Sequence, residues 1–341
     1  MTRIKAMLVC LVLLFFLSGC SSEIENYAII AGAALDLAHE GLELTVEVAD
    51  VSSGSAENSG NSIRFTAAGS DIAEAQKALE RHMGKPLYWD HSSVIVLSRD
   101  LCRQGIDSAV TWIMSSQAVR ISVPLIVSTG SAKDLLSSKL DPFKTTAFGL
   151  RSMLDNNEDR GIGIALPVYQ LYNRLHDQSQ CALLPLMMVE QDKPVLLGSA
   201  IIKENRYVDS LSVNQTQIYS LLTRSVNSAL LPIGNVTMRT TRTGSNISYK
   251  DGRVVFRPRI QGVLDQGYLP EGENPVQALA QNLTEQAQDL LAVSRSMDCD
   301  FLGLNNTLYR ADPHSFSRKA IADIAVDFHP DIHIYDYGQA Q

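Results

Sequence analysis

The chain has 341 residues, a formal net charge of −8 and 45% hydrophobic residues. An acidic chain without a basic cluster is a poor fit for nucleic acid, or for electrostatic binding to anionic lipid. Its length exceeds what one small core organises, so two or three domains are expected.

The first twenty residues set the frame. Arg3 and Lys5 precede an uninterrupted apolar run from Ala6 to Leu17, closed by Ser18, Gly19 and Cys20. A run of about 12 residues is too short for a hydrocarbon core that needs about 20, but it suits the h-region of a signal peptide. Small residues directly before a cysteine, with Leu17 ahead of them, match the bacterial lipobox. There the thiol of Cys20 takes diacylglycerol and the chain is cut so that Cys20 becomes its N-terminus. The mature chain is expected to work outside the cytoplasm, held to a membrane by acyl chains worth about 0.8 kcal/mol per buried methylene. Losing Arg3 and Lys5 with the leader lowers the charge by two, to −10. No later stretch approaches 18 apolar residues, so no second span is expected. Of five cysteines, Cys10 leaves with the leader and Cys20 is lipidated. Cys102, Cys181 and Cys299 remain, isolated and odd in number, and read as buried free thiols.

Tyr27 to Leu35 reads as a buried strand. Leu42, Leu44, Val46 and Val48 alternate with Glu43, Thr45 and Glu47, the period of a half-exposed strand hairpinned to the first. Ser52 to Ser62 is a loop, and Ile63 to Ala67 a strand. Ser70 is the expected N-cap of a helix with Ile72, Ala75, Leu79 and Met83 on its buried stripe. Val94 to Leu97 (strand), Asp100 to Met114 (helix), Ile121 to Val127 (strand) and Ser131 to Ser138 (short helix) follow. This alternation predicts a mixed sheet covered by helices.

Pro142 to Leu154 and Pro167 to His176 read as helices around an acidic joint, Asp155 to Asp159. Cys181 to Val189 and Val195 to Lys203 form a hairpin about Glu190 to Pro194, and a helix runs from Asn214 to Asn227. Residues 235 to 262 read as a β meander broken by Gly244 and Asp251-Gly252. Asn274-Pro275 opens the longest helix, which runs to Met297 with Val276, Leu279, Leu283, Ala287 and Leu290 in its stripe. In the last strand, Val326 to Ile334, Phe328, Ile332 and Ile334 share one face and Asp327, His329, Asp331 and His333 the other.

Taken together, these segments resemble the Ger(x)C lipoproteins, the C subunits of bacterial spore germinant receptors. Asn26-Tyr27-Ala28-Ile29-Ile30-Ala31-Gly32 is similar to the family's first strand. Ala75 to Arg81, leading into Gly84-Lys85-Pro86-Leu87-Tyr88-Trp89-Asp90-His91, resembles its first helix and the segment after it. Val119-Arg120-Ile121 with Ser131 to Leu136, and Leu197 to Ile201, follow its next strand–helix pair and its central hairpin. Asp300-Phe301-Leu302-Gly303-Leu304, Asp312-Pro313 and a strand closing at Gly338 follow its C-terminal pattern. Ser21-Ser22 stand where the family usually has Trp-Asp, and Phe316 or Phe328 where it often has a tryptophan.

The resemblance implies an α+β protein of three mixed α/β domains, sheets flanked by helices, behind a lipoprotein signal peptide. The expected divisions are 1–19 (signal peptide), 20–190 (N-terminal domain), 191–233 (small middle domain) and 234–341 (C-terminal α+β domain). It implies no enzymatic activity and no cofactor. It further implies assembly with integral-membrane A and B subunits on the outer face of the spore inner membrane, with Leu17, Ser18, Gly19 and Cys20 as the site residues.

Rival classes find little purchase. There is no Gly-x-Ser-x-Gly elbow, His-Glu-x-x-His or Cys-x-x-Cys. Gly161-Ile162-Gly163 is read as a loop rather than a phosphate cradle, and His91 as a structural histidine. Asp327, His329, Asp331 and His333 lie in line on one strand and cannot encircle an ion, so they read as a solvent face rather than metal ligands. Asn214, Asn235, Asn246, Asn282 and Asn305 head glycosylation-like triplets, which a bacterial lipobox makes irrelevant. A solute-binding lipoprotein of a transporter is the second expectation, and a lipid-anchored hydrolase the third.

Overall fold

The computed structural model describes residues 26–49, 62–116, 118–233, 236–264 and 274–336. Nine strands form the main sheet: β1 (Ala28–Leu37), β2 (Leu42–Val48), β3 (Ile63–Gly69), β4 (Leu87–Tyr88), β5 (Val94–Ser98), β6 (Leu125–Ser128), β7 (Cys181–Glu190), β8 (Lys193–Lys203) and β9 (Arg206–Ser212). The order is β3-β2-β1-β5-β6-β7-β8-β9, with β4 beside β1. The centre, β1-β5-β6-β7, is parallel, and each wing is antiparallel. Both faces of the centre are covered. Ile95 and Leu97 of β5 point into one core and Val94 and Val96 into the other, and Leu125 and Val127 of β6 likewise oppose Ile126. A two-faced core explains why these strands read as continuous apolar runs.

The helices of this half are α1 (Ile72–Met83), α2 (Arg99–Gln104), α3 (Asp107–Ser115), α4 (Ala132–Ser137), α5 (Thr146–Asp159), α6 (Val168–His176) and α7 (Val213–Thr223). Several bounds differ from the sequence reading. The N-cap of α1 is Asp71, which accepts from the Glu74 amide, while the Ser70 amide and hydroxyl donate to the Glu74 carboxylate. The helix expected over Asp100 to Met114 is two, α2 and α3, because Gly105 turns the chain at φ +146°. β6 starts only at Leu125, after Pro124, and Ile121 is 46% exposed. The acidic joint Asp155 to Asp159 is the last turn of α5, where Arg151 and Asp155 pair at 3.0 Å one turn apart. α7 starts with a capping box of Ser212 and Gln215 and ends at Thr223 rather than Asn227. Gln191 and Asp192 take positive φ between β7 and β8, the tight primed turn of a two-residue hairpin. Pro194 lies inside β8.

Residues 191–233 hydrogen-bond into the main sheet through β8 and β9 and pack α7 on β8. That segment ends in β10 (Leu230–Ile233), which opens a second sheet, and beyond it come β11 (Val236–Gly244), β12 (Ile247–Lys250), β13 (Arg253–Phe256), β14 (Arg259–Leu264), α8 (Pro275–Ser296), α9 (Leu304–Ala311), β15 (Val326–Phe328) and β16 (Asp331–Asp336). The expected single meander is divided between two sheets, β10-β11-β14-β16 and β12-β13-β15. The last strand is likewise two. Pro330 interrupts it, so β15 pairs β13 and β16 pairs β14, both parallel. α8 is capped by Asn274 and buries Leu279, Leu283, Ala287 and Leu290 as its spacing predicted, with Leu291 buried as well and Val276 only half-buried. One buried cluster joins the main sheet to this half, running from Leu97 through Ile218 and Leu222 to Phe256 and Leu283.

Two strand carboxylates, Glu47 and Asp36, hold helices to the sheet, a role the sequence reading gave to neither. Glu47, expected on a solvent face, is 0% exposed. It accepts from the Thr146 and Ala147 amides at 3.0 and 2.8 Å and from Arg64 at 2.7 Å. Those amides open α5, where backbone N–H groups and the helix dipole favour an anion. Asp36 on β1 accepts in the same way from the Ala132 and Lys133 amides that open α4. Helices on this face are thus pinned to the sheet by carboxylates from neighbouring strands.

Candidate functional site

Leu17, Ser18, Gly19 and Cys20 lie outside the described residues, as do residues 52–61 of the expected loop and Gly338. The described chain starts six residues past Cys20, where Tyr27 meets Tyr88 edge-on at 5.9 Å between ring centroids. Tyr88 also meets His91 and donates to Asp90 at 2.9 Å; that bond, with the Asp90 charge, holds its phenol above the usual range. His91 is exposed and belongs to this aromatic cluster.

The other chemical candidates are engaged structurally. Cys102, Cys181 and Cys299 are buried free thiols. Burial pushes Cys102 up to about 12, and a hydrogen bond with Cys181, then burial, pushes Cys299 up further, so neither is a nucleophile at neutral pH. The Gly161 amide donates to Glu158 and the Ile162 and Gly163 amides to Asn157, so all three close the end of α5. Asp327 forms a two-pronged pair with Arg253 at 2.6 and 2.8 Å, and Asp331 binds Arg259 and His333. These side chains lie on two strands in two sheets, and among the described residues no three His, Cys, Asp or Glu converge on a metal position.

A cleft of about 590 Å³ able to receive a ligand lies between α6 and α7 on one side and β12 and α9 on the other. Arg174 of α6 donates to the Tyr219 hydroxyl of α7 at 3.0 Å, and Tyr219 is 1% exposed. Burial pushes the Tyr219 phenol up, but the Arg174 and Arg224 cations outweigh it and leave the group below its ordinary value. Phe301 meets the Tyr219 ring edge-on at 6.4 Å and floors the cleft. Asp177, just past α6, accepts from the Ser179 amide at 2.7 Å and from the Asn306 side chain of α9 at 3.2 Å. That last bond crosses between the two halves of the chain. Arg310 of α9 lines the far wall and is exposed. A second hollow, of about 490 Å³, gathers Arg242, Arg257 and Arg259 beside Asp331.

Of the cleft residues only Phe301, Leu302 and Gly303 fall in a segment that carried the family likeness, and none was read as a site residue. Its walls come from residues 170–179, 219–223, 247–249 and 301–311, so no local spacing announces it. The one available sign was Arg174 next to the apolar stripe of an amphipathic helix, beside Leu171 and Leu175.

Comparison with known proteins assigns both halves. Residues 21–189 match the family described as spore germination protein N-terminal domain, and residues 197–338 match the spore germination B3/GerAC-like C-terminal family. Spore germination protein GerQC of Bacillus cereus is 22% identical over 222 residues, which cover 64% of this chain and 61% of that relative. The match thus spans about three fifths of the relative's length. The crystal structure of the GerBC protein superposes with a TM-score of 0.53 over 89% of this chain and 96% of its own, at 20% identity, a likeness of fold. With family matches running from residue 21 to residue 338, this chain belongs to the Ger(x)C family of spore germination proteins, the family of germinant-receptor C subunits.

Proposed function

We propose that this chain is a lipid-anchored, non-enzymatic subunit of a spore germinant receptor, assembling with integral-membrane A and B subunits in nutrient-triggered germination. The observation that carries the reading is the pair of family matches, the first of which starts one residue after Cys20. Among the described residues no helix is long and apolar enough to cross a membrane, and the attachment proposed is the acyl group on Cys20. The buried thiols and the spent amides at Gly161 to Gly163 support a role in binding rather than chemistry. The proposed place of action is the outer face of the spore inner membrane.

The anchor is tested by fractionation. In cells producing the Cys20→Ala chain, the protein is expected in the soluble fraction, with the unaltered chain in the membrane pellet. Recovery of both in the pellet, with the leader shown to be removed from the altered chain, would assign attachment to partner contacts and remove the lipid from the account.

A further inference from the structure

We propose that the cleft between α6–α7 and β12–α9 binds a small polar solute through a carboxylate seated on Arg174. The volume, about 590 Å³, lies in the range of small-molecule sites. Its charge runs against that of the molecule. The chain is net −8, yet Arg174 and Arg310 line the cleft against one carboxylate, Asp177. Asp177 is already held by two backbone amides, from Ser179 and Gln180, and by the Asn306 side chain. It braces the two halves, and although its charge acts on Arg174, it makes its hydrogen bonds to these other donors and leaves the guanidinium fork open to a ligand.

Arg174 is set for a planar anion. Among the described residues its hydrogen bond is to Tyr219, one of the five N–H donors that a guanidinium carries in a rigid fork. The Tyr219 contact and burial hold its plane, and a carboxylate takes two parallel N–H bonds from such a fork. Around it, Gln170, Asn173 and Thr307 offer neutral donors and acceptors for the polar remainder of the solute. A ligand here would touch both halves of the chain, since α6 and α9 face each other across it. This binding chemistry stands independently of the receptor assignment and of the partners proposed above.

The test uses the full lipidated chain in detergent micelles, titrated calorimetrically with glycine, L-lactate, succinate and inorganic phosphate. At least one carboxylate is expected to bind with an affinity of about 1 mM or better, and more tightly than phosphate. Arg174→Gln and Arg310→Ala are each expected to weaken that binding by about tenfold, and Arg174→Lys to do nearly the same because an ammonium lacks the fork. Arg310 is exposed, so its variant reads the site without disturbing the fold. Arg242→Ala in the second hollow is expected to change nothing. The proposal is overturned if none of the three carboxylates binds at about 10 mM, if phosphate is preferred, or if binding survives both cleft variants or follows Arg242→Ala.

Discussion

Replacing Glu47 with alanine is expected to destabilise the chain by about 3–5 kcal/mol, as removal of one member of a buried pair does. The carboxylate is 0% exposed and receives three donors: the Thr146 and Ala147 amides and the Arg64 guanidinium. Without it, two amides in the first turn of α5 lose their acceptor inside the protein, where an unmet donor costs about 1–3 kcal/mol. Arg64 would keep its bonds to the Leu136 carbonyl and the Thr146 hydroxyl, both neutral acceptors, and lose its counter-charge. Urea unfolding of the two chains measures the difference through the midpoint at unchanged slope. Glu47→Gln, which keeps one acceptor oxygen, is expected to fall between them. A loss below about 1 kcal/mol for Glu47→Ala would mean that solvent reaches the network and that α5 is held by its apolar face alone.

The second large effect is one of pH. Asp300 is 0% exposed, and burial raises its carboxyl to about 6 against the pull of the Asn305 and Leu304 amides, which donate to it at 2.8 and 2.7 Å. Its folded value is thus above the ordinary carboxylate value of the unfolded chain. Between about pH 4 and 6 the folded chain holds a proton that the unfolded chain has released. The contribution from this group is therefore complete below about pH 4 and is lost as the pH rises through 6. The change is about 3 kcal/mol, at 1.36 kcal/mol per unit. Asp300→Asn carries no titrating group, so its stability is expected to fall less steeply over that window than that of the unaltered chain. Parallel curves for the two chains would show that Asp300 is ionised at no cost. The segment after Asp300 forms the wall of the cleft, so this titration bears on the same region as the proposed solute site.

What the sequence revealed was set by how local each cause is. Alternation located β2, and the stripe from Leu279 to Leu290 located α8, because the burying face is written within one element. Gly105 and Pro330 show the limit. Each cuts an apolar pattern that continues in sequence, and whether the chain bends there depends on which sheet or helix takes the next segment. α9 went unread because Asn305, Asn306 and Thr307 are weak helix formers. It is started instead by Asp300, which caps its first amides from the preceding turn. Glu47 was misjudged for a related reason. Its partners, Thr146 and Ala147, lie about 100 residues away, and a one-dimensional alternation assigns every polar residue to water. The cleft is the extreme case. Arg174 and Tyr219 are 45 residues apart, and Asp177 and Asn306 are 129 apart, so only the fold brings them together. Family likeness, carried by the order of many short segments, was by contrast legible along the whole length.

The central claim is that this chain serves germination as a receptor subunit, and the most direct measurement is the response of spores that lack it. Dipicolinate release would be followed after mixtures of nutrients and after a trigger that bypasses receptors. The account predicts that the null spores lose at least one nutrient response, keep the bypass response, and regain the lost response when the gene is restored. Null spores that answer every nutrient mixture as the parent does, with no related gene present to replace this one, would contradict it.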